Sequence, residues 1–365
     1  MKAILKKLIT LTLISSFAIH FACQQNDLYD EIYRSYNPIH NFDASNTTGD
    51  RVTGAYNGVP FCYINAKGAD APNNFPKRLD DLSIGNVDIE FFISETVVTN
   101  ELFRVVYQWA YDNGKFTDDV SATNTIDDLD ANYGGWSLIH FSGSNTKFDM
   151  TNKVFKVESR FEKHPVVSVT GYGAVMFCNW LTEMTGGNEN DMVYTGMDET
   201  SWPNLSADNS RTGYRLPTND EWEYAARYIG KDDPNTFTSI PVGFYYWTPG
   251  RHLSGSMWSW DDMNPLARQN NYQVAVFWFY GDDGSPTGVD FLAPVGSKRP
   301  NQLGIYDMSG NVWEFCGNNN TITQLSMRGG SFRDNAEELQ VGKVDSPQLL
   351  NHHTGELGFR VCKTK

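Results

Sequence analysis

The sequence predicts an α+β fold made of small antiparallel sheets, two main helices and long structured loops. Three observations lead there. The apolar segments are short and are broken up by 31 glycines and 15 prolines, the residues that punctuate turns and loops. Aromatic side chains are abundant, with 22 Phe, 18 Tyr and 10 Trp; such rings suit a domain whose loops pack through side chains rather than through long helices. Two stretches carry a sustained helical period together with capping residues.

From the N-terminus, Lys2, Lys6 and Lys7 precede an apolar run from Leu8 to Ala22. The run falls short of the roughly 20 apolar residues of a spanning helix and reads as a signal peptide over residues 1–22. Ala22-Cys23 followed by polar Gln24-Gln25-Asn26-Asp27 resembles a bacterial lipobox, which makes Cys23 the expected site of lipidation. Several acyl chains on that residue would tether the protein stably. Residues 23–50 are polar and aperiodic and read as a spacer, leaving residues 51–365 as the globular body. The expectation is an exported lipoprotein on the outer membrane or cell surface of a bacterium.

Within the body, Val87-Asp88-Ile89-Glu90-Phe91-Phe92-Ile93 alternates and reads as a strand. Thr99-Asn100 caps a helix over residues 101–111 that places Leu102, Val105, Val106 and Trp109 on one face. A second helix over residues 173–185 gathers Ala174, Phe177, Cys178 and Leu181 and stops at Gly186-Gly187. A shorter one spans residues 220–227 behind Thr218, with Glu221 at capping-box spacing. Residues 238–288 read as irregular.

The formal net charge is −15, from 29 basic and 44 acidic residues, and no basic stripe follows the signal. Phosphate binding needs such stripes, so nucleic acid is excluded as a partner. The acidic balance suits a soluble surface protein, expected as a monomer. Cys62, Cys178, Cys316 and Cys362 form neither a CxxC pair nor a metal-ligand spacing. Cys178 lies in an apolar helical stretch and is expected as a buried thiol; spacing leaves open whether Cys316 and Cys362 pair. Phosphate-loop, HExxH and GxSxG patterns are absent, and acidic pairs such as Asp127-Asp128 and Asp261-Asp262 sit in turn-like polar stretches.

Six segments in order carry a resemblance: Glu95-Thr96-Val97-Val98-Thr99-Asn100; His164-Pro165-Val166-Val167 through Cys178-Asn179-Trp180-Leu181; Gly213-Tyr214-Arg215-Leu216-Pro217-Thr218 with Glu221-Trp222-Glu223-Tyr224-Ala225-Ala226-Arg227; Gly304 through Gly310-Asn311-Val312-Trp313-Glu314; Arg328-Gly329-Gly330-Ser331-Phe332; and Gly358-Phe359-Arg360. Together they resemble the formylglycine-generating-enzyme (sulfatase-modifying-factor) superfamily over residues 85–365. The resemblance implies a variant of the C-type lectin fold. The motif tryptophans Trp180, Trp222 and Trp313 are expected in the core, and Gly310-Asn311 and Gly329-Gly330 as tight turns.

The resemblance does not carry the family's catalysis. Its formylglycine-forming members use two cysteines after the Gly-Gly-Ser-aromatic motif, and those positions fall here on Asp334 and Leu339. A copper site so placed has no soft ligand. No enzyme and no cofactor are therefore expected, and a structural calcium has no located site. Asp233-Pro234-Asn235 matches the calcium-dependent sugar-binding loop of the lectin fold only loosely.

Between Cys316 and Gly358, three stretches follow no helix or strand period: residues 318–323, 333–338 and 343–354. Arg328 to Phe332 and Leu339-Gln340-Val341-Gly342, by contrast, look fixed by packing. Aperiodic loops on a rigid scaffold carry binding, and the layout resembles the variable proteins of diversity-generating retroelements. Randomised adenines in asparagine codons reach every residue of Leu349-Leu350-Asn351-His352-His353-Thr354, but not Glu337, Glu338 or Lys343. The expected recognition region is about 316–357. Its expected site residues are Asn318, Asn320, Thr321, Thr323, Arg333, Asp334, Asn335, Ala336, Asp345, Ser346, Leu349, Asn351, His352 and His353, facing a protein or glycan ligand. A second reading is a structural lipoprotein of a gliding-motility or secretion assembly, which the resemblance also accommodates. A divergent formylglycine-generating or oxidase enzyme is the third.

Overall fold

A computed structural model of the chain describes residues 47–51, 60–116, 128–130, 137–196, 205–230, 242, 243, 245–262, 264–278, 291–317 and 320–365. The expected signal peptide, Cys23, Asp127, Asp233-Pro234-Asn235 and Asn318 lie outside these residues.

Four α-helices, not two, stand among the described residues: α1 (Asn100–Asp112), α2 (Gly171–Met184), α3 (Asn219–Arg227) and α4 (Pro265–Val274). Among the same residues they accompany seven small sheets, the two largest holding five and four strands. This α+β arrangement corrects the expectation of a C-type lectin fold with two main helices: strand pairing is spread over separate small sheets, and none closes into such an arrangement.

Each helix begins where local chemistry satisfies its first amides. Thr99 and Thr170 accept from Leu102 and Gly173 through their hydroxyls. Thr218 and Glu221 form a reciprocal capping box. Helix α4 falls in the stretch read as irregular. Asn264 caps it through Leu266, and Pro265 opens it at the position where a missing N–H costs nothing.

Helix α2 is buried from Gly171 to Thr182, as expected of a helix apolar on all sides. Helix α1 buries Phe103, Tyr107 and Ala110 as well as the predicted stripe, while Trp109 stays half-buried. Tyr107 donates to the Gly173 carbonyl at 3.0 Å and meets Trp180 edge to face at 5.0 Å. A second core lies between α3 and the five-stranded sheet, around Trp222, Tyr224 and Trp247.

The strand expected over residues 87–93 begins only at Phe91 and ends at Ser94. It sits at the centre of the five-stranded sheet, between Pro60–Lys67 and Cys362–Thr364. The four-stranded sheet runs Asp345–Leu349, Gln324–Arg328, Trp313–Cys316, Leu357–Gly358. Cys316 and Cys362 occupy different sheets, and both are free and buried, as is Cys178.

The predicted turns are tight: Gly310, Asn311, Gly329 and Gly330 all have left-handed backbones, with φ of 79°, 64°, 94° and 71°. Asn311 tolerates this better than most side chains. It is fully buried, and its amide both accepts from the Ala293 N–H and donates to the Ala293 carbonyl.

Candidate ligand-binding face

The frame under the C-terminal loops is ionic. Glu314, fully buried in strand Trp313–Cys316, accepts two bonds from Arg360 at 2.6 and 2.7 Å and one from the Trp222 indole at 2.7 Å. Glu223 of α3 accepts from Arg227 and from Arg328, each at 2.8 Å, and Arg227 also holds Asp81. Arg215 grips Glu221 with two bonds. Buried charges persist only when paired and hydrogen-bonded. Every arginine and glutamate of these groups stands in one of the sequence segments that carry the family resemblance.

Arg328 carries this frame outward. Its second nitrogen donates to the carbonyls of Val341 and Lys343, at 3.3 and 2.8 Å. Leu339 and Val341 are fully buried, so Leu339 to Gly342 is fixed as predicted, and the chain leaves for the surface immediately after it.

Two ion pairs tie the second aperiodic stretch to the third, and strand pairings tie the first and third to the rest of the fold. Lys343 meets Glu338 at 2.6 Å, and Arg333 meets Glu356 at 2.7 Å, tying residues 333–338 to both ends of residues 343–356. Residues 345–349, expected to be aperiodic, form an edge strand that pairs antiparallel with Gln324–Arg328, Leu349 opposite Gln324. Pro347 lies inside it, which suits an edge, where an amide on the open side has no ladder partner to lose. Asn320 and Thr321 form a short strand paired with Ser206–Ala207.

Thr323, Arg333, Asn335, Ser346, Leu349 and Asn351 are exposed, with Leu349 at 59%. Asp334, Ala336, Asp345, His352 and His353 are partly buried, and several of them serve the loops themselves. The Asp334 carboxylate accepts from the Ser331 amide and hydroxyl, at 2.9 and 2.6 Å. Asn335 accepts from the Glu337 amide, and Asp345 from that of Ser346. Ala336 packs on a small cluster with Leu253, Phe277 and Leu339.

Sequence reasoning missed the floor beneath residues 350–354. The Leu350 carbonyl accepts from Tyr172 at the start of α2, at 3.2 Å. A Cβ on Gly171 would lie 2.9 Å from a Leu325 methyl and 3.0 Å from Leu350, so a glycine there permits the close approach. The His353 ring stacks on His140, with centroids 3.4 Å apart. No sequence signal linked positions so far apart.

The donors of a copper-thiolate centre do not fit here. Asp334 spends its carboxylate on the Ser331 turn, and Leu339 is a buried hydrocarbon. Burial pushes the Cys178, Cys316 and Cys362 thiols well above their ordinary range, and thiols so placed are poor nucleophiles and ligands. Among the described residues no three His, Cys, Asp or Glu side chains are grouped to hold a metal ion.

Known proteins similar to the chain include the following three. A Paenibacillus barcinonensis protein named "Chaperone protein LppX" is 31% identical over 180 residues, 42% of this chain and 52% of that protein. A formylglycine-generating enzyme from Thermomonospora curvata is 28% identical over 213 residues, 58% of each chain. The chain thus spans little more than half the length of these two relatives. The solved structure of Treponema denticola variable protein 1 superposes with a TM-score of 0.52 at 21% identity, over 87% of this chain and 99% of that one, a likeness of fold. The sulfatase-modifying factor enzyme 1-like domain matches residues 82–365. With the buried Glu–Arg pairs joining its motifs and that match covering most of its length, the chain belongs to the sulfatase-modifying factor enzyme 1-like domain family.

Proposed function

We propose that this protein is a non-catalytic recognition protein, exported and held at the bacterial surface through Cys23, whose C-terminal loops bind a macromolecular ligand, protein or glycan. The observation that carries the reading is the contrast around Arg328. The frame beneath is buried, charged and ion-paired. The loops above it expose Thr323, Arg333, Asn335, Ser346, Leu349 and Asn351. Substitutions at exposed loop positions leave stability nearly unchanged, within about 0.5 kcal/mol each, so such a surface tolerates diversification. The likeness of fold to a variable protein supports the same reading, as do the residue types of Leu349 to Thr354, all reachable from mutated asparagine codons.

The test is genetic. The 3′ end of the gene is sequenced from many isolates, and the neighbouring DNA is searched for a reverse transcriptase and a near-copy of that 3′ end. The expected outcome is substitution concentrated at the exposed codons between 318 and 354, with the codons for Glu314, Arg328 and Arg360 unchanged. Substitutions spread evenly over the chain, with no template copy nearby, would refute diversification.

A further inference from the structure

The four-stranded sheet has two edges. Leu357–Gly358, at one, is buried, and the Val166 carbonyl comes so near that a Cβ on Gly358 would lie 2.7 Å from it. Asp345–Leu349, at the other, runs along the surface, with Ser346, Pro347 and Leu349 exposed. An open edge offers unpaired N–H and C=O groups to any extended chain, a second copy of itself included. Such pairing draws its affinity from main-chain bonds, which are the same for every sequence.

Here the open groups are already taken. The Ser346 N–H donates to the Asp345 carboxylate at 2.7 Å, and the Ser346 carbonyl accepts from the Gln348 side-chain amide at 3.1 Å, both at the surface. Pro347 has no N–H to give. The Leu349 carbonyl accepts from the His352 N–H at 2.9 Å, in the turn that follows. The ladder is interrupted at the same place. Its register passes from Leu325 opposite Gln348 to Met327 opposite Asp345, so Ser346 and Pro347 together face the single residue Ser326. That is a bulge, which bends an edge out of line with an incoming strand. A proline, a bulge and two side-chain caps thus fall within a strand of five residues.

We propose that this strand closes its own edge, so that the 345–349 surface takes a folded protein against the side chains of Ser346 and Leu349 and turns away extended segments. Specificity is a difference of affinities, gained by excluding wrong partners as well as by fitting the right one. Where side chains decide what binds, main-chain bonds that would hold any strand work against discrimination. Leu349, 59% exposed, offers an aliphatic contact without a hydrogen bond. That suits an apolar protein surface better than the hydroxyls of a glycan, which lose water there and gain no partner. Copies tethered to one membrane also meet at high effective concentration, where an open edge would join them sheet to sheet. The class of partner rests on the function proposed above; the closure of the edge rests on the strand alone.

The test opens the edge and needs no ligand. Asp345→Thr, Pro347→Thr and Gln348→Thr, made together, release both Ser346 groups and restore the missing N–H. Pro347→Thr alone, with the same readings, replaces the triple variant should that fail to fold. Self-association of the full chain in mild detergent is followed by sedimentation equilibrium at matched solvent density. Hydrogen-exchange mass spectrometry follows residues 343–350, and a cooperative melt near the wild-type midpoint shows that each protein is folded. The expected result is that the opened variant self-associates at least about tenfold more tightly than the wild type, with exchange slowed across residues 343–350 in the associated form. The proposal is overturned if the folded variant associates no more than the wild type, or if association leaves exchange at 343–350 unchanged. It is overturned equally if the wild type itself associates through this segment. A gene whose substitutions are spread evenly would end the recognition reading and leave the closed edge standing.

Discussion

Arg328 and Glu223 meet as a fully buried ion pair at 2.8 Å across a separation of 105 positions. The pair joins the Gly-Gly turn segment to helix α3, and Arg328 then supports the carbonyls of Val341 and Lys343, where the exposed loops depart. A single guanidinium therefore links the second core to the base of the candidate recognition face.

Arg328→Met should destabilise the protein by about 3–5 kcal/mol, because it leaves buried charge and the carbonyls of Asn219, Val341 and Lys343 short of a partner. Arg333→Met removes an ion pair of similar length, with Glu356, but on an exposed side chain, and should cost less than about 1 kcal/mol. Urea unfolding of both variants checks this. Equal midpoints would mean that the buried network does not hold the fold.

Asp307 supplies a pH dependence of known sign. It is buried, and burial pushes its carboxyl up to about 6, while the Gly296 amide and Arg360 pull it down. The folded protein therefore keeps this proton longer than the unfolded chain does. The stability linked to it is full below about pH 4, is lost as pH rises towards about 6, and stays lost above that. Asp307→Asn keeps an acceptor for the Gly296 N–H and suits the left-handed backbone, φ 58°. The variant should exceed the wild type in stability by up to about 3 kcal/mol at pH 7 and match it near pH 4. Denaturant curves at the two pH values decide; a constant gap, or a less stable variant at pH 7, contradicts the assignment.

Much of this was legible in the sequence, for reasons that are local. Thr99 and Thr218 read as caps because a hydroxyl reaches amides two or three residues on, a distance the sequence displays, whereas Thr170, which caps α2 two residues before its expected start, does not. Asn264-Pro265 carried the same kind of signal for α4 and was hidden by the polar, aperiodic stretch around it. The edge strand Asp345–Leu349 had no signal of its own, since Pro347 and exposed polar residues contradict strand propensity; it exists because Gln324–Arg328 offers it a template. The motif charges were visible as letters, but their pairing of Glu223 with Arg328 and of Glu314 with Arg360 is set by tertiary packing. The same is true of His140 beneath His353.

Cys23→Ser should move the protein from membranes into the soluble fraction, since the expected acyl chains attach at that thiol and several chains are needed for stable anchoring. Detergent partitioning of the variant and the wild type measures it. Unchanged partitioning would mean that the tether does not depend on Cys23.

The proposed recognition face makes the sharpest demand, because its residues must be dispensable to the fold and indispensable to binding. Arg333, Ser346 and Asn351 are exposed, and of the three only Arg333 makes a side-chain ion pair, at the surface with Glu356. Replacing all three by alanine should lower stability by no more than about 1–2 kcal/mol, the sum of small surface effects. Trp313→Ala, by contrast, opens a cavity beside the strand that pairs with both Gln324–Arg328 and Leu357–Gly358, and should cost about 3–5 kcal/mol. Thermal midpoints of the two variants, measured beside ligand capture from bacterial or host surface extracts, test both demands together. A triple variant that melts close to the wild type yet captures nothing fits a recognition surface. One that unfolds as badly as Trp313→Ala would place those side chains in the core. One that keeps both its fold and its full capture would place the binding site elsewhere on the molecule.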